Sequence, residues 1–270
     1  MENNYQEVAQ RLSNEGYNFD MGKYLKEGWK LGLSSIGPII LYMILVVIIS
    51  FILGLIPIVG QIADSFFISP VLSAGGIYFL HHKHTTGESD FGKFFEGFKQ
   101  IGALAGVNIL SLLLMMLAVI PMILSSLTLF DMDLLSRIAA EDSTAMLELL
   151  EKFTTANAAL IGGIVLTFLL LITISILLFT AYYFVAIGKL GGGASIKASA
   201  GLAKKNFFSI LGFVIVLGLI NVLGIMVVVV GLIVTIPVTL GAMYMMFNNI
   251  VISQVSTETM AISEDDILDA

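Results

Sequence analysis

Two stretches of the chain are almost free of charge. Residues 31–80 carry a single charged side chain, Asp64, and residues 206–257 carry none. Each is about 50 residues long, enough for two helical passes through a ~30 Å hydrocarbon core at about 20 residues per pass. Two further apolar runs lie between them. The pattern predicts an all-α, polytopic membrane protein with six crossings at about 34–56, 62–81, 101–123, 160–187, 207–229 and 232–253, within a transmembrane domain over 31–257. Residues 1–30 form a cytosolic or interfacial lead-in, and residues 258–270 an acidic cytosolic tail.

Polar positions punctuate this pattern. In the lead-in, Tyr5, Val8 and Leu12 recur at helical spacing, and Asp20 is placed to cap a helix carrying Lys23, Lys26, Trp29 and Lys30. Trp29, flanked by lysine at the edge of an apolar run, is expected to anchor the interface, as are Tyr182 and Tyr183 at the end of the fourth crossing. Pro57-Ile58-Val59-Gly60 marks the first turn, and a turn near Gly231 divides the last block. The insert at 131–152 holds six acids against Arg137 and Lys152, with apolar residues at helical spacing, and is expected to lie on the membrane surface.

Basic residues set the orientation. Of 13 Lys and Arg, all but Arg137 and Lys152 fall in the lead-in and in the connectors after crossings two and four. The positive-inside tendency then predicts both termini inside and the acidic insert outside. Pieces of sequence also recur. Glu27-Gly28-Trp29-Lys30 precedes crossing one, Glu96-Gly97-Phe98-Lys99 precedes crossing three, and Gly201-Leu202-Ala203-Lys204 is a weaker third copy before crossing five. Ser69-Pro70-Val71 matches Ile236-Pro237-Val238, each followed by a small pair, Ala74-Gly75 or Gly241-Ala242. The expectation is three hairpins, each preceded by a basic flank, arranged as parallel repeats about an axis along the membrane normal.

The basic flank around Trp29, the Ile-Pro-x-Val-Gly turn at 56–60, the Ser-Pro-x-x-Ser-Ala-Gly run at 69–75, and the Asn221-x-x-Gly224 and Thr235-x-Pro237 ending resemble a broad family of uncharacterised bacterial six-helix membrane proteins. That family is similar to the membrane domain sometimes fused to glycerophosphodiester phosphodiesterases. The resemblance covers most of residues 20–255 and implies a multi-pass protein of the bacterial cytoplasmic (inner) membrane. No phosphodiesterase domain is present, so that activity does not carry over. Some members are described as carotenoid oxygenases, which hold iron with four histidines. This chain has only His81, His82 and His84, which excludes that description.

Composition narrows the chemistry. The chain is 57% hydrophobic and 12% charged, against about 25% charged in soluble domains. It has no cysteine, hence no disulfide, thiol nucleophile or Cys metal site. The predicted crossings hold no ionisable residue except Asp64, at the edge of a turn, which argues against proton relays, ion coupling and voltage sensing. Serines within the crossings have no His or Asp at their level, so no enzyme and no cofactor is expected. Pro70, Pro237, Asn108 and Asn221 are the candidate kink or cavity positions. The reading is a non-enzymatic module whose partners are membrane lipids, further membrane proteins or a second copy, and not nucleic acid. The alternative is a transporter or channel for a neutral or amphiphilic solute.

Overall fold

Runs of Ile, Val and Leu carry a β preference in water, but in hydrocarbon each backbone N–H and C=O must find a partner within its own segment, which selects helices. The computed structural model describes residues 2–127, 132–154, 158–227 and 230–268, and contains no strand among them. Six helices are long and apolar enough to cross a membrane: Ile36–Gly54, Val59–Thr86, Phe91–Ser126, Leu160–Ala186, Phe207–Met226 and Gly231–Met260. They are consistent with a multi-pass membrane protein. The second, third and sixth run past the apolar segments because the polar connectors and the tail continue them as helix. The sixth passes through α13 (Val230–Phe247) and a π turn (Asn248–Ile252) into α14 (Ser253–Leu268). The centre of the last turn, residues 228–229, lies outside the described residues.

The chain divides into two compact units, Met1–Leu110 with Ile176–Ala270, and Ser111–Ser175. In the first unit, short amphipathic helices pack on the ends of longer ones. Helix α1 (Glu2–Glu15) buries Tyr5, Val8, Ala9 and Leu12. Helix α2 (Met21–Leu33) starts at Asp20, whose carboxylate accepts from the Lys23 N–H at 2.9 Å. It packs along α13 with backbones nearly touching. A Cβ on Gly32 would stand 2.5 Å from Pro237 O, and one on Gly28 would stand 2.2 Å from Ala242 Cα. The segment Phe91–Gln100, wound as a 3₁₀ helix, packs in the same manner on α5 (Ser69–Thr86), with Gly97 against Val71 and Gly75 against Phe94 O. Helix α11 (Gly192–Lys205) packs on α10 (Ala181–Ala186). There Ser199 Oγ accepts from the Thr180 N–H at 3.1 Å and donates to Leu177 O at 2.8 Å.

The first two of these contacts superpose turn for turn. Val238 and Ala242 meet Gly32 and Gly28, four residues apart on an α-helix. Val71 and Gly75 meet Gly97 and Phe94, three residues apart on a 3₁₀ helix. Each pair spans one turn of its helix type. The Glu-Gly-aromatic-Lys motif therefore aligns in sequence one turn out of step with the contact it makes in space.

The core of this unit lies where these short helices meet the ends of α5, α10 and α13. Tyr42 and Phe79 stack on Phe94 with centroids 4.1 and 4.3 Å apart, and Phe184 meets Phe247 edge-on at 5.0 Å. Half of the second span is buried, against 11% of the first, which presents Val47, Phe51 and Leu55 outward. In the turn between them, α3 (Ile36–Gly54) gives way to α4 (Val59–Ala63) through Ile58 at φ +62°. The Val59 N–H reaches Pro57 O there at 2.7 Å.

In the second unit, α6 (Ile101–Ser126) meets α9 (Ala158–Leu177) at Gly163, where a Cβ would stand 2.8 Å from Pro121 O. The acidic insert folds as a helical pair, α7 (Met132–Ala139) and α8 (Ser143–Thr154). Arg137 pins the pair through Asp142 at 3.2 Å and Glu148 at 2.9 Å. The Thr144 hydroxyl and N–H, with Arg137, hold the Asp142 carboxyl below the usual range. A depressed carboxylate stabilises the fold above its unfolded pKa, and that contribution is lost as pH falls through the folded value.

Two consequences of this packing are measurable. Gly32→Leu should cost about 3 kcal/mol or more through overpacking and lower the melting temperature in detergent, whereas Gly37→Ala, with nothing within 4 Å, should be neutral or stabilising by about 0.5–1 kcal/mol. Amide protection factors across 132–151, the measured rate taken against the intrinsic rate at each pH, should hold at neutral pH and fall only below about pH 3.9, the ordinary Asp value.

Candidate functional site

Proline at an inner helix position removes an N–H and orphans a carbonyl one turn back. Three prolines show how this chain responds. Pro70 follows a π turn, Asp64–Ile68, in which the Ser69 N–H bonds Asp64 O. By the same register Ser65 O would accept from residue 70, which has no N–H. Asn108 Nδ2 takes that place, donating to Ser65 O at 2.8 Å. Pro38 lies in the first turn of α3, where the N–H it lacks has no intrahelical acceptor, and just before it the Lys83 ammonium donates to Ser34 O. Helix α13 continues through Pro237, and Asn221 Nδ2 reaches across to Thr239 Oγ1 at 2.8 Å while also donating to Leu217 O at 2.9 Å.

Pro70, Pro237, Asn108 and Asn221 thus form two separate pairs, Asn108 with the Pro70 turn and Asn221 with the Pro237 helix, and not one shared lining. Beside them Asp64 Oδ1, Asn221 Oδ1 and Thr235 Oγ1 are buried without a protein hydrogen-bond partner.

The three aromatic anchors differ. Trp29 is 47% exposed. Tyr182 is half-buried, its hydroxyl 3.5 Å from Asn108 Oδ1. Tyr183 is 4% exposed and packs on Phe247 at 5.1 Å, so it is a core residue and not an interface anchor. Successive side chains on a helix point about 100° apart, and α10 has protein on the Tyr183 side.

A polar cluster at the end of the helices near α2 was not anticipated as a unit. Tyr244, fully buried, places its hydroxyl 3.2 Å from Nδ1 of both His81 and His84. One hydroxyl can donate to one ring and accept from the other. The histidines are three residues apart and so share a helix face, a spacing that was readable, while His82 turns away to Thr86. Nearby, Gln100, with its amide oriented to suit its neighbours, donates to Val185 O and accepts from Tyr78 Oη and Lys189 Nζ. Lys189 also lies 5.1 Å over the Tyr78 ring, and burial lowers its pKa. Glu27 accepts from Asn249 Nδ2 at 3.0 Å.

A cavity of ≈660 Å³ opens beside this cluster, lined by Glu27, Lys30, Lys83, His84, Asn248 and Asn249 together with Leu31 and Met245. Among the described residues no group of three or more His, Asp or Glu is placed to hold a metal ion. The arrangement supplies ammonium and amide donors beside apolar surface.

If Asn108 substitutes for the missing Pro70 N–H, the two positions are coupled. Asn108→Leu should destabilise the protein by about 1–2 kcal/mol, and by clearly less in a Pro70→Ala background, where an N–H is restored. Equal costs in both backgrounds, read from melting in detergent, would refute the coupling. In comparison with known proteins, no family, curated protein or solved structure matches this chain.

Proposed function

We propose that this protein is a non-enzymatic membrane module that binds or organises lipid, with three parallel hairpin repeats and both termini on the cytoplasmic side of a bacterial inner membrane. The observation that carries the reading is an apolar groove of ≈360 Å³ between α3 and α13, one turn from Pro237. Its walls include Ile40, Ile44, Val47, Ile48, Ile233 and Ile236. A groove of branched side chains on a span that faces outward suits an acyl chain. A second cavity inside the first unit, among Tyr17, Ile176, Phe179 and Phe247, measures only ≈10 Å³, too small for a solute.

The repeat reading is supported by the order of contacts. The first basic flank packs on the closing helix of the third hairpin, the second flank on that of the first, and the third flank on that of the second. Each flank thus sits on the preceding unit, and the first closes the set on the last. The same-side insertion that this order requires agrees with the distribution of lysine and arginine. The sequence resemblance to bacterial six-helix membrane proteins points the same way.

A second reading, passage of a neutral or amphiphilic solute, is favoured by the unpartnered polar atoms of Asp64, Asn221 and Thr235 within the spans. Filling the groove with Ile44→Trp and Ile233→Trp should reduce phospholipid retained through purification by at least half, counted by mass spectrometry. Proteoliposomes should pass glycerol no faster than empty vesicles. Glycerol flux above that baseline, with lipid retention unchanged by the tryptophans, would favour the second reading. Topology is testable because the chain lacks cysteine. Single cysteines at Ser143 and Gly193, both exposed and the latter with nothing within 4 Å of its Cβ, should react with an impermeant thiol reagent from opposite sides. Labelling from the same side contradicts the six-crossing topology.

A further inference from the structure

We infer that the ≈660 Å³ cavity among α2, α5 and the end of α13 is a binding site for a phosphate anion, presented by a phospholipid headgroup or by a soluble phosphate. The inference rests on the lipid-binding reading but concerns a polar site separate from the acyl groove. On α13 the groove is lined by residues 232, 233 and 236 and the cavity by Met245 and the turn after it.

Three cationic or donor groups converge there from two elements. Lys83 gives one N–H to Ser34 O and keeps two. Lys30 lines the cavity and forms no ion pair among the described residues. His84 has Nδ1 on Tyr244, and in one direction of the His81–Tyr244–His84 relay its Nε2 carries the proton as a donor. Asn248 and Asn249 line the same cavity. The one acid, Glu27, is occupied by the Asn249 amide.

The surroundings favour an anion at headgroup depth. The cavity adjoins a second one, ≈440 Å³, through Glu27 and Lys30, and this second cavity adds Lys23 and Lys26 along with Asp20, whose carboxylate already accepts from the Lys23 N–H. Lys23, Lys26 and Lys30 form a basic stripe along α2 that ends where the nearly charge-free stretch begins, at residue 31. Half-exposed Trp29 lies beside it. Leu31 and Met245 also line the cavity and add apolar surface beside these polar groups, as at the junction of headgroup and acyl chain. Basic residues at such a surface favour anionic lipid by about five-fold each.

The test uses the full chain in mixed micelles, with bound lipid counted by native mass spectrometry. Phosphatidylglycerol should be retained about 25-fold over phosphatidylcholine, about five-fold for each of Lys30 and Lys83. Lys30→Gln with Lys83→Gln should remove that preference without lowering total bound lipid; Lys30→Gln alone, which breaks no described hydrogen bond, should cut the preference about five-fold at an unchanged melting temperature. Lys30→Arg with Lys83→Arg should keep it. The groove-filling Ile44→Trp and Ile233→Trp should do the reverse, lowering total lipid but sparing the preference, so failure of either site is visible alone. In a parallel arm, inorganic phosphate is titrated against the lipid-free protein. Phosphate binding with a phosphatidylglycerol preference, both lost in the Gln pair, assigns the headgroup as source. Phosphate binding lost in the Gln pair, without lipid preference, assigns a soluble phosphate. Absence of both in the unsubstituted protein, or a preference untouched by the Gln pair, overturns the site.

Discussion

Helices that run through hydrocarbon cannot leave a carbonyl or an N–H to water, and much of this structure answers that constraint at the places where the helix is broken. Pro70 strips a donor from the backbone inside a span, and a side chain from another helix supplies one: Asn108 donates to Ser65 O. The same device ties the short helices together. Tyr42 donates to Leu72 O, Asn206 to Tyr17 O, Tyr17 to Leu202 O, and Lys205 to Asn14 O. Burial in this position pushes the Tyr17 hydroxyl up to about 12, so it stays protonated and able to donate. A bond that satisfies the backbone also fixes which helices are neighbours.

Two packing regimes meet in the first unit. Lipid tails are as apolar as leucine, so helices within the bilayer gain by close fit and not by exclusion of water. Gly28 and Gly32 against Pro237–Ala242, and Gly97 and Gly75 at the contact of the 3₁₀ segment with α5, are fits of that kind, because a side chain at any of them would meet backbone. Beyond those contacts the short helices bury Tyr5, Val8, Leu12, Tyr24 and Phe94 as a soluble domain would, under the ordinary hydrophobic effect. The charged and titratable residues gather in this second region. That is why the cavity with Lys30, Lys83 and His84 lies there, while the groove between α3 and α13 is apolar.

Much of the element order was legible in the sequence. The charge-free runs locate the six long helices because no other secondary structure satisfies the backbone there. Asp20 was readable as a cap because a short acceptor just ahead of an amphipathic run can take a free N–H. Less could be read where one motif had two physical outcomes. Adjacent tyrosines at 182 and 183 look alike in sequence, yet one is half-buried and the other lies in the core, because the helix periodicity separates them and only the neighbours decide which face is covered. Likewise the two Glu-Gly-aromatic-Lys motifs align in sequence but contact their partner helices one turn apart: Gly28 meets Ala242, whereas Gly97 meets Val71, the counterpart of Val238.

By itself the sequence determined that the chain is helical, where its apolar helices run and where its charges collect. Those properties follow from local composition and from a backbone that must bond to itself. Tertiary structure decided the rest: that Asn108 replaces the N–H missing at Pro70, that His81 and His84 share the hydroxyl of Tyr244, and that Lys30 and Lys83, 53 positions apart, line one cavity. Each of these joins residues far apart in the chain, and no periodicity within a helix carries information about which other helix lies against it.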